Sequence, residues 1–353
     1  MQSMTKIPEL MSGVVLTGHG GPEMLSWRDD LTVPELGISE VLVKVGAAAV
    51  NNTDINTRLT WYSKGDAKAD DAGWSGIPIE FPRIQGADVC GEIVSVGEGV
   101  NPARIGDRVL IEPCIRETGG IDLESPWYFG SECDGGFAQF TRVADRHAYK
   151  VESDLSDVEL ATFPCSYSTA ENMLTRAQVR AGDRVLITGA SGGVGSAAVQ
   201  LTRARDAEVI AITSTEKVQL LHDLGASKTL LRDDDYIEKL GVNAVDVVLD
   251  LVGGPSWFSL LEVLVPFGRY AVSGAIAGAY VELDLRTLYL KDLSLFGCTV
   301  LEPGVFANLV RLIERGKVKP LVSETFPLSN IKEAQDAFQT KNHVGKLVLS
   351  VQN

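Results

Sequence analysis

Apolar and polar positions follow two different textures along the chain. Up to about Phe163 the apolar residues come in short runs broken by glycine: Val41–Val45, Cys90–Val96, Arg108–Ile111 and Gly136–Val143. Runs of that length without a helical period predict a mostly β, barrel-like domain. From Arg184 onward, the apolar runs Arg184–Thr188, Glu208–Thr213, Lys228–Leu231, Asp246–Leu251 and Gly268–Ser273 alternate with segments of helical spacing. A repeated strand–helix grammar builds a parallel sheet with helices on both faces, so the fold class is α/β, a doubly wound sheet beside a mostly β domain. After a further β run, Lys291–Val300, the tail predicts a helix over Gly304–Gly316 and a closing strand, Lys346–Val351, that rejoins the first domain. The expected boundaries are therefore 1–163 completed by 301–353, and 164–300 between them. The polar stretch Lys64–Gly76, which carries Trp74, reads as an exposed loop.

The length of 353 residues suits two domains with separate cores. A net charge of -15 argues against nucleic acid or an anionic membrane as partner, since both are repelled by most of the surface. An anionic small molecule is still admissible, held in a local pocket of backbone N–H groups and a few cations. There is no uninterrupted apolar run of the length a membrane helix needs, and the first residues lack a basic region followed by an apolar one. The five cysteines, Cys90, Cys114, Cys133, Cys165 and Cys298, are scattered and odd in number, which points to free thiols in a reducing cytoplasm. His19, His147, His222 and His343 do not cluster and read as surface or loop residues.

The segment Arg184–Gln200, RVLITGASGGVGSAAVQ, has the form of a strand, a glycine-rich turn and a helix of small residues. Gly189, Gly192 and Gly195 recur every third residue, with Ser191, Gly193 and Val194 between them. Such a turn brings backbone N–H groups to a pyrophosphate at the positive end of the helix. The alternating pattern that follows supplies the context a lone glycine motif lacks. At the end of the next strand an acid would bond a ribose 2′-OH, whereas cations and hydroxyls suit a 2′-phosphate. Ser214 and Lys217 stand there, Glu216 is expected to face away, and Arg232 after the third strand adds a cation. These residues favour NADPH over NADH, the alternative being an ordinary helix cap with solvated charges.

With these motifs in place the chain resembles the medium-chain dehydrogenase/reductase superfamily over nearly its whole length. Within it, the likeness is to the zinc-free quinone oxidoreductase and enoyl reductase branches. The matching segments are Val50–Tyr62, Gly86–Gly97, Gly106–Val109, Gly135–Phe140, the GASGGVG turn, Ser214–Lys217, Asp250–Gly254 and Gly345–Leu349. The resemblance implies a GroES-like catalytic domain beside a Rossmann domain. It also implies where zinc-dependent relatives carry ligands: those positions look like Asn51, Ala87 and Cys165, so one ligand type of three survives. The segment between Val109 and Gly135 offers only Cys114 and Cys133, too few thiols for a structural zinc. In Val50–Tyr62, Tyr62 matches the branch's proton-donating tyrosine and Asn51 its active-site asparagine, expected to orient the substrate carbonyl or the nicotinamide ribose. Asn52 replaces the usual proline.

The same resemblance places Thr169, Val252, Gly253, Gly274 and Lys346 near the cofactor, and suggests a homodimer paired through Leu293–Val300. The function implied is a zinc-independent, NADPH-dependent reductase of a quinone or an α,β-unsaturated carbonyl compound. A zinc-type alcohol dehydrogenase relative and a crystallin-like nucleotide binder without turnover are the alternatives.

Overall fold

The computed structural model describes residues 7–64 and 72–351. The chain divides into two compact units, Met1–Cys165 with Pro320–Asn353, and Ser166–Lys319. Most of the stretch expected as a loop after Lys64 lies outside the described residues.

The first unit opens with an antiparallel pair, β1 (Leu10–Leu16) and β2 (Leu25–Thr32). It continues through β3 (Glu40–Ala49), α1 (Asn52–Arg58), β4 (Asp88–Val96), β5 (Arg108–Ile111), the hairpin β6 (Cys114–Thr118) and β7 (Ile121–Tyr128), then β8 (Phe140–Ala144) and β9 (Ala148–Lys150). A short helix α2 (Asp157–Leu160) and the longer α3 (Pro164–Arg176) follow, the unit boundary falling inside α3. The glycine-broken runs form this sheet as expected, although β8 starts at Phe140 and not at Gly136. The hairpin β6–β7 carried too few apolar positions to announce itself. His147 is a correction: it is buried, its Nδ1 facing Glu112 Oε2 at 2.9 Å while Nε2 accepts the Arg116 N–H at 2.9 Å.

The second unit alternates as its pattern predicts: β10 (Arg184–Ile187), α4 (Gly193–Arg203), β11 (Glu208–Thr213), α5 (Val218–Leu224), β12 (Lys228–Leu231), α6 (Tyr236–Leu240), β13 (Val245–Asp250), α7 (Trp257–Glu262), β14 (Leu264–Val272), α8 (Leu285–Leu290) and β15 (Ser294–Gly297). All pairings are parallel and the spatial order is β12-β11-β10-β13-β14-β15. This is the doubly wound Rossmann order, which reverses between β10 and β13 and opens a ligand crevice at the carboxyl ends there.

Helix α9 (Val305–Glu314) belongs to this second unit, so the return to the first comes at Pro320 and not at residue 301. Its apolar stripe, Val305, Phe306, Leu309, Val310 and Ile313, is buried. The Asn172 amide on α3 also donates to Val300 O at 3.1 Å and accepts the Glu302 N–H at 2.9 Å, tying the approach to α9 to the same unit. The tail then adds β16 (Val322–Pro327), α10 (Ile331–Gln339) and β17 (Lys346–Ser350), and β17 pairs with β3 to complete the first unit's sheet.

Candidate active site

The glycine turn sits at the carboxyl end of β10, beside the reversal in strand order. Gly189 has φ +57, a left-handed conformation costly for a residue with a side chain. Ser196 N–H is bonded to Gly192 O at 2.8 Å, so the amides of Gly193, Val194 and Gly195 precede the first closed turn of α4. A Cβ on Gly195 would lie 2.2 Å from Gly189 O, which explains why only glycine lets the helix start this close to the strand. Ser191 is buried beneath the turn.

The neighbouring strand ends are fastened by Asp250, fully buried at the end of β13. Its carboxylate accepts from Thr188 Oγ1 at 2.6 Å, from the Val252 and Gly253 N–H groups at 2.9 and 3.1 Å, and from the Tyr270 hydroxyl. Burial, with the Asp250 charge beside it, pushes the Tyr270 phenol far up, so it serves as a donor. Gly274 follows β14, where Ser273 N–H bonds Asp250 O at 3.1 Å. Val252, Gly253 and Gly274 thus gather at adjacent carboxyl ends. Asp250 is the organiser that sequence reasoning passed over, though it opens one of the matching segments.

At the end of β11, Ser214 precedes a single turn, Thr215–Lys217, and Arg232 N–H bonds Thr213 O at 3.2 Å, bringing the residue after β12 to the same place. Burial first, and then the Arg232 charge, lower the Lys217 pKa. Backbone N–H bonding first, and then the Ser214 hydroxyl, hold the Glu216 carboxyl below its ordinary range. On α3, Thr169 is half-buried within an otherwise buried run.

In the first unit a second cluster forms around the start of α1. Asn51 caps this helix in a reciprocal box with Asp54, whose Oδ2 accepts the Asn51 N–H at 2.8 Å. Burial raises the Asp54 carboxyl to about 7. The Asn51 amide gives both hydrogens to the protein, to Asp88 Oδ2 at 2.8 Å and Ala49 O at 3.2 Å, and its oxygen receives the Lys346 ammonium. That ammonium also bonds Val50 O at 3.0 Å and Asp88 Oδ2 at 2.7 Å, which uses its three hydrogens. Asn51 and Lys346 therefore hold the loop together, a role different from the substrate and cofactor contacts expected of them. Asp88, immediately after Ala87, is the residue that joins them. Its Oδ1 accepts the Cys165 N–H at 2.6 Å.

Tyr62 stands just past α1 with its hydroxyl 3.4 Å from both Thr53 Oγ1 and Asn56 Nδ2. These are long bonds for a phenol, which burial keeps protonated. Beyond Asp88, Ala87, Tyr128 and Cys165 form a small buried cluster against which Trp74 packs. The Tyr128 ring stacks on Trp74 with centroids 4.8 Å apart, and its hydroxyl meets Cys165 Sγ at 2.9 Å. Nothing in the sequence marked Tyr128, which lies in the segment read only for its cysteines.

A tetrahedral zinc needs thiolate or imidazole donors. Here Asn51 is spent, Ala87 has no donor, and burial pushes the Cys165 thiol up to about 12. The donor set does not fit the metal.

Residues 37–153 match the alcohol dehydrogenase GroES-like domain, and residues 193–315 match the zinc-binding dehydrogenase family. A quinone oxidoreductase of Rattus norvegicus is 31% identical over 355 residues, covering 97% of this chain and 98% of the relative. The chain belongs to the medium-chain dehydrogenase/reductase superfamily. A chloroplastic NADPH-dependent alkenal/one oxidoreductase of Arabidopsis thaliana is 30% identical and covers 97% of this chain, which spans 80% of the relative. A solved structure from Sinorhizobium meliloti 1021 is 45% identical, with a TM-score of 0.90 and 98% of each chain covered. As a member of this superfamily the protein is an oxidoreductase, and nicotinamide cofactors are what the family binds. No helix among the described residues is long and apolar enough to cross a membrane.

Proposed function

We propose that this oxidoreductase uses NADPH to reduce a quinone or an α,β-unsaturated carbonyl compound, without zinc. The observation that carries the reading is the first unit's cluster, where a fully bonded amide at Asn51, a methyl at Ala87 and a neutral thiol at Cys165 give zinc no fitting donor set. The names of the rat and Arabidopsis relatives support the substrate class. The juxtaposition of Ser214, Lys217 and Arg232 supports a 2′-phosphate. In this reading the amides of Gly193, Val194 and Gly195 hold the pyrophosphate, with Thr169, Val252, Gly253 and Gly274 around the nicotinamide end. Bound NADPH supplies a hydride to the far carbon of the conjugated system. Tyr62, kept protonated by burial, supplies a proton or hydrogen bond to the product, while Asn51, Lys346 and Asp88 fix the loop that carries it.

The sheet ends at β15, and exposed Leu285, Tyr289, Leu290 and Leu295 lie on or just before it, which supports the expected homodimer. None of the five cysteines is in a disulfide, which accords with a cytoplasmic setting. The test is NADPH oxidation with a panel of quinones and enones, wild type against Tyr62→Phe. The reading expects turnover with at least one acceptor and a loss of ten-fold or more in the variant. Tight NADPH binding without turnover would favour the crystallin-like alternative, and one zinc per purified chain would revive the alcohol dehydrogenase one.

A further inference from the structure

The Tyr128–Cys165 pair is unused by the reading above, on which the following rests. Three observations single it out. Tyr128, Ala87 and Cys165 are packed as a cluster apart from the unit's main core, roofed by Trp74. The roof is fastened on purpose-built polar ties: Trp74 N–H bonds Ser131 Oγ at 3.1 Å, and Glu132 accepts from Ser75 N–H and from Tyr128 N–H, each at 2.8 Å. Finally, the phenol's hydrogen-bond partner is a sulfur, at 2.9 Å.

Either the hydroxyl or the thiol can be the donor here, and a neutral thiol is a weak partner in both roles. A phenol resting on it is held in position yet loses little when a carbonyl oxygen arrives to take its hydrogen. A phenol buried for packing alone would more commonly be satisfied by a stronger backbone or side-chain oxygen. The hydroxyl also lies in the same neighbourhood as the Tyr62 phenol and the Asp88 carboxylate, the latter linked to Cys165 through its backbone N–H.

We infer that Tyr128 is a second substrate-facing donor, the hydroxyl that receives the substrate's carbonyl oxygen, with Cys165 Sγ as its resting partner. As the far carbon is reduced, negative charge gathers on that oxygen and the Tyr128 hydrogen bond strengthens without transferring its proton, while the protonation of carbon is left to Tyr62. The substrate chemistry this selects is a conjugated carbonyl whose oxygen reaches the Ala87–Tyr128–Cys165 cluster.

Tyr128→Phe keeps the ring, its stack on Trp74 and its packing on Ala87, and removes only the hydroxyl. The decisive measurement uses protein loaded with NADP⁺, so that nothing turns over, and the ultraviolet absorption of added cinnamaldehyde. A hydrogen bond to its carbonyl moves the band to the red. The shift is expected in wild type and in Tyr62→Phe, and lost in Tyr128→Phe. With NADPH and the best acceptor, Tyr128→Phe should lower kcat/KM by about 100-fold, mostly in kcat, the scale of removing one oxyanion donor, with Tm held within about 2 °C. A shift that persists in Tyr128→Phe, or the absence of any shift in wild type, overturns the inference, as does kcat/KM within three-fold of wild type. Wild-type protein that shows the shift yet reduces no quinone or enone would instead overturn the proposed function and leave the Tyr128 contact standing.

Discussion

The glycine turn allows two roles of glycine, packing and ligand approach, to be separated by one pair of variants. A Cβ on Gly195 would lie 2.2 Å from Gly189 O and 2.6 Å from Ala190 Cα. A carbon–oxygen contact needs about 3.3 Å, so the start of α4 must retreat by roughly 1 Å in Gly195→Ala. Overpacking of that kind costs about 1–3 kcal/mol, and at about 2–4 °C per kcal/mol the variant should melt several degrees lower. The same retreat withdraws the amides of Gly193, Val194 and Gly195 from an incoming pyrophosphate, so NADPH affinity should fall by about ten-fold or more. Gly192 differs: its φ is -76, and a Cβ there meets nothing closer than Gly189 O at 3.5 Å. Gly192→Ala should therefore leave Tm unchanged, while in the proposed reading, where a pyrophosphate lies against this turn, it weakens NADPH about ten-fold. Calorimetry and fluorescence titration with NADPH read the two quantities independently. An unchanged Tm in Gly195→Ala would refute the packing argument, and wild-type affinity in Gly192→Ala would show that the pyrophosphate does not approach this turn.

Other expectations follow from the buried charges. Asp54 is raised by burial from its ordinary 3.8 to about 7, so the folded state holds a proton that the unfolded chain releases, and this group makes stability fall as pH rises from about 4 to 7. Asp54→Asn should remove that decline from a Tm-against-pH series, and parallel curves would contradict it. Lys346→Met leaves Asp88 buried without its cation and should cost about 3–5 kcal/mol in urea unfolding. Adding Asp88→Asn should recover part of that loss, and purely additive losses would argue against direct pairing. The double variant Lys217→Ala, Arg232→Ala should lower the preference for NADPH over NADH at least ten-fold in steady-state KM values. An unchanged preference would remove the 2′-phosphate from this corner.

The parallel sheet was legible because each of its strands is an apolar run of β length between helical periods, a signal that survives without tertiary context. Strand ends were less so: Leu264–Val265 preceded the expected start of β14, since Pro266 and Gly268 interrupt the run. Boundaries between units depend on side-chain partners far along the chain, and the Asn172 bonds that keep residues 300–302 with the second unit have no local signature. At the site, glycines and strand-end residues could be named because backbone geometry restricts residue type. Asn51 and Lys346 were found for the same positions but given other roles, because only the fold reveals that Asp88 stands between them. Tyr128 and Asp250 act through partners brought together by topology, which residue identity alone does not disclose.

The pairing of β17 with β3 also has a consequence for how the protein is made. Lys346 reaches Asn51 across 295 positions of sequence, so its strand leaves the ribosome long after the residues it binds. While the polypeptide is emerging from the ribosome, the second unit can assemble from consecutive residues, but Asp88 must wait for its counter-ion until β17 has been made. A nascent chain halted before Lys346 would hold a wound second unit and a first unit whose sheet still lacks the strand that pairs with β3.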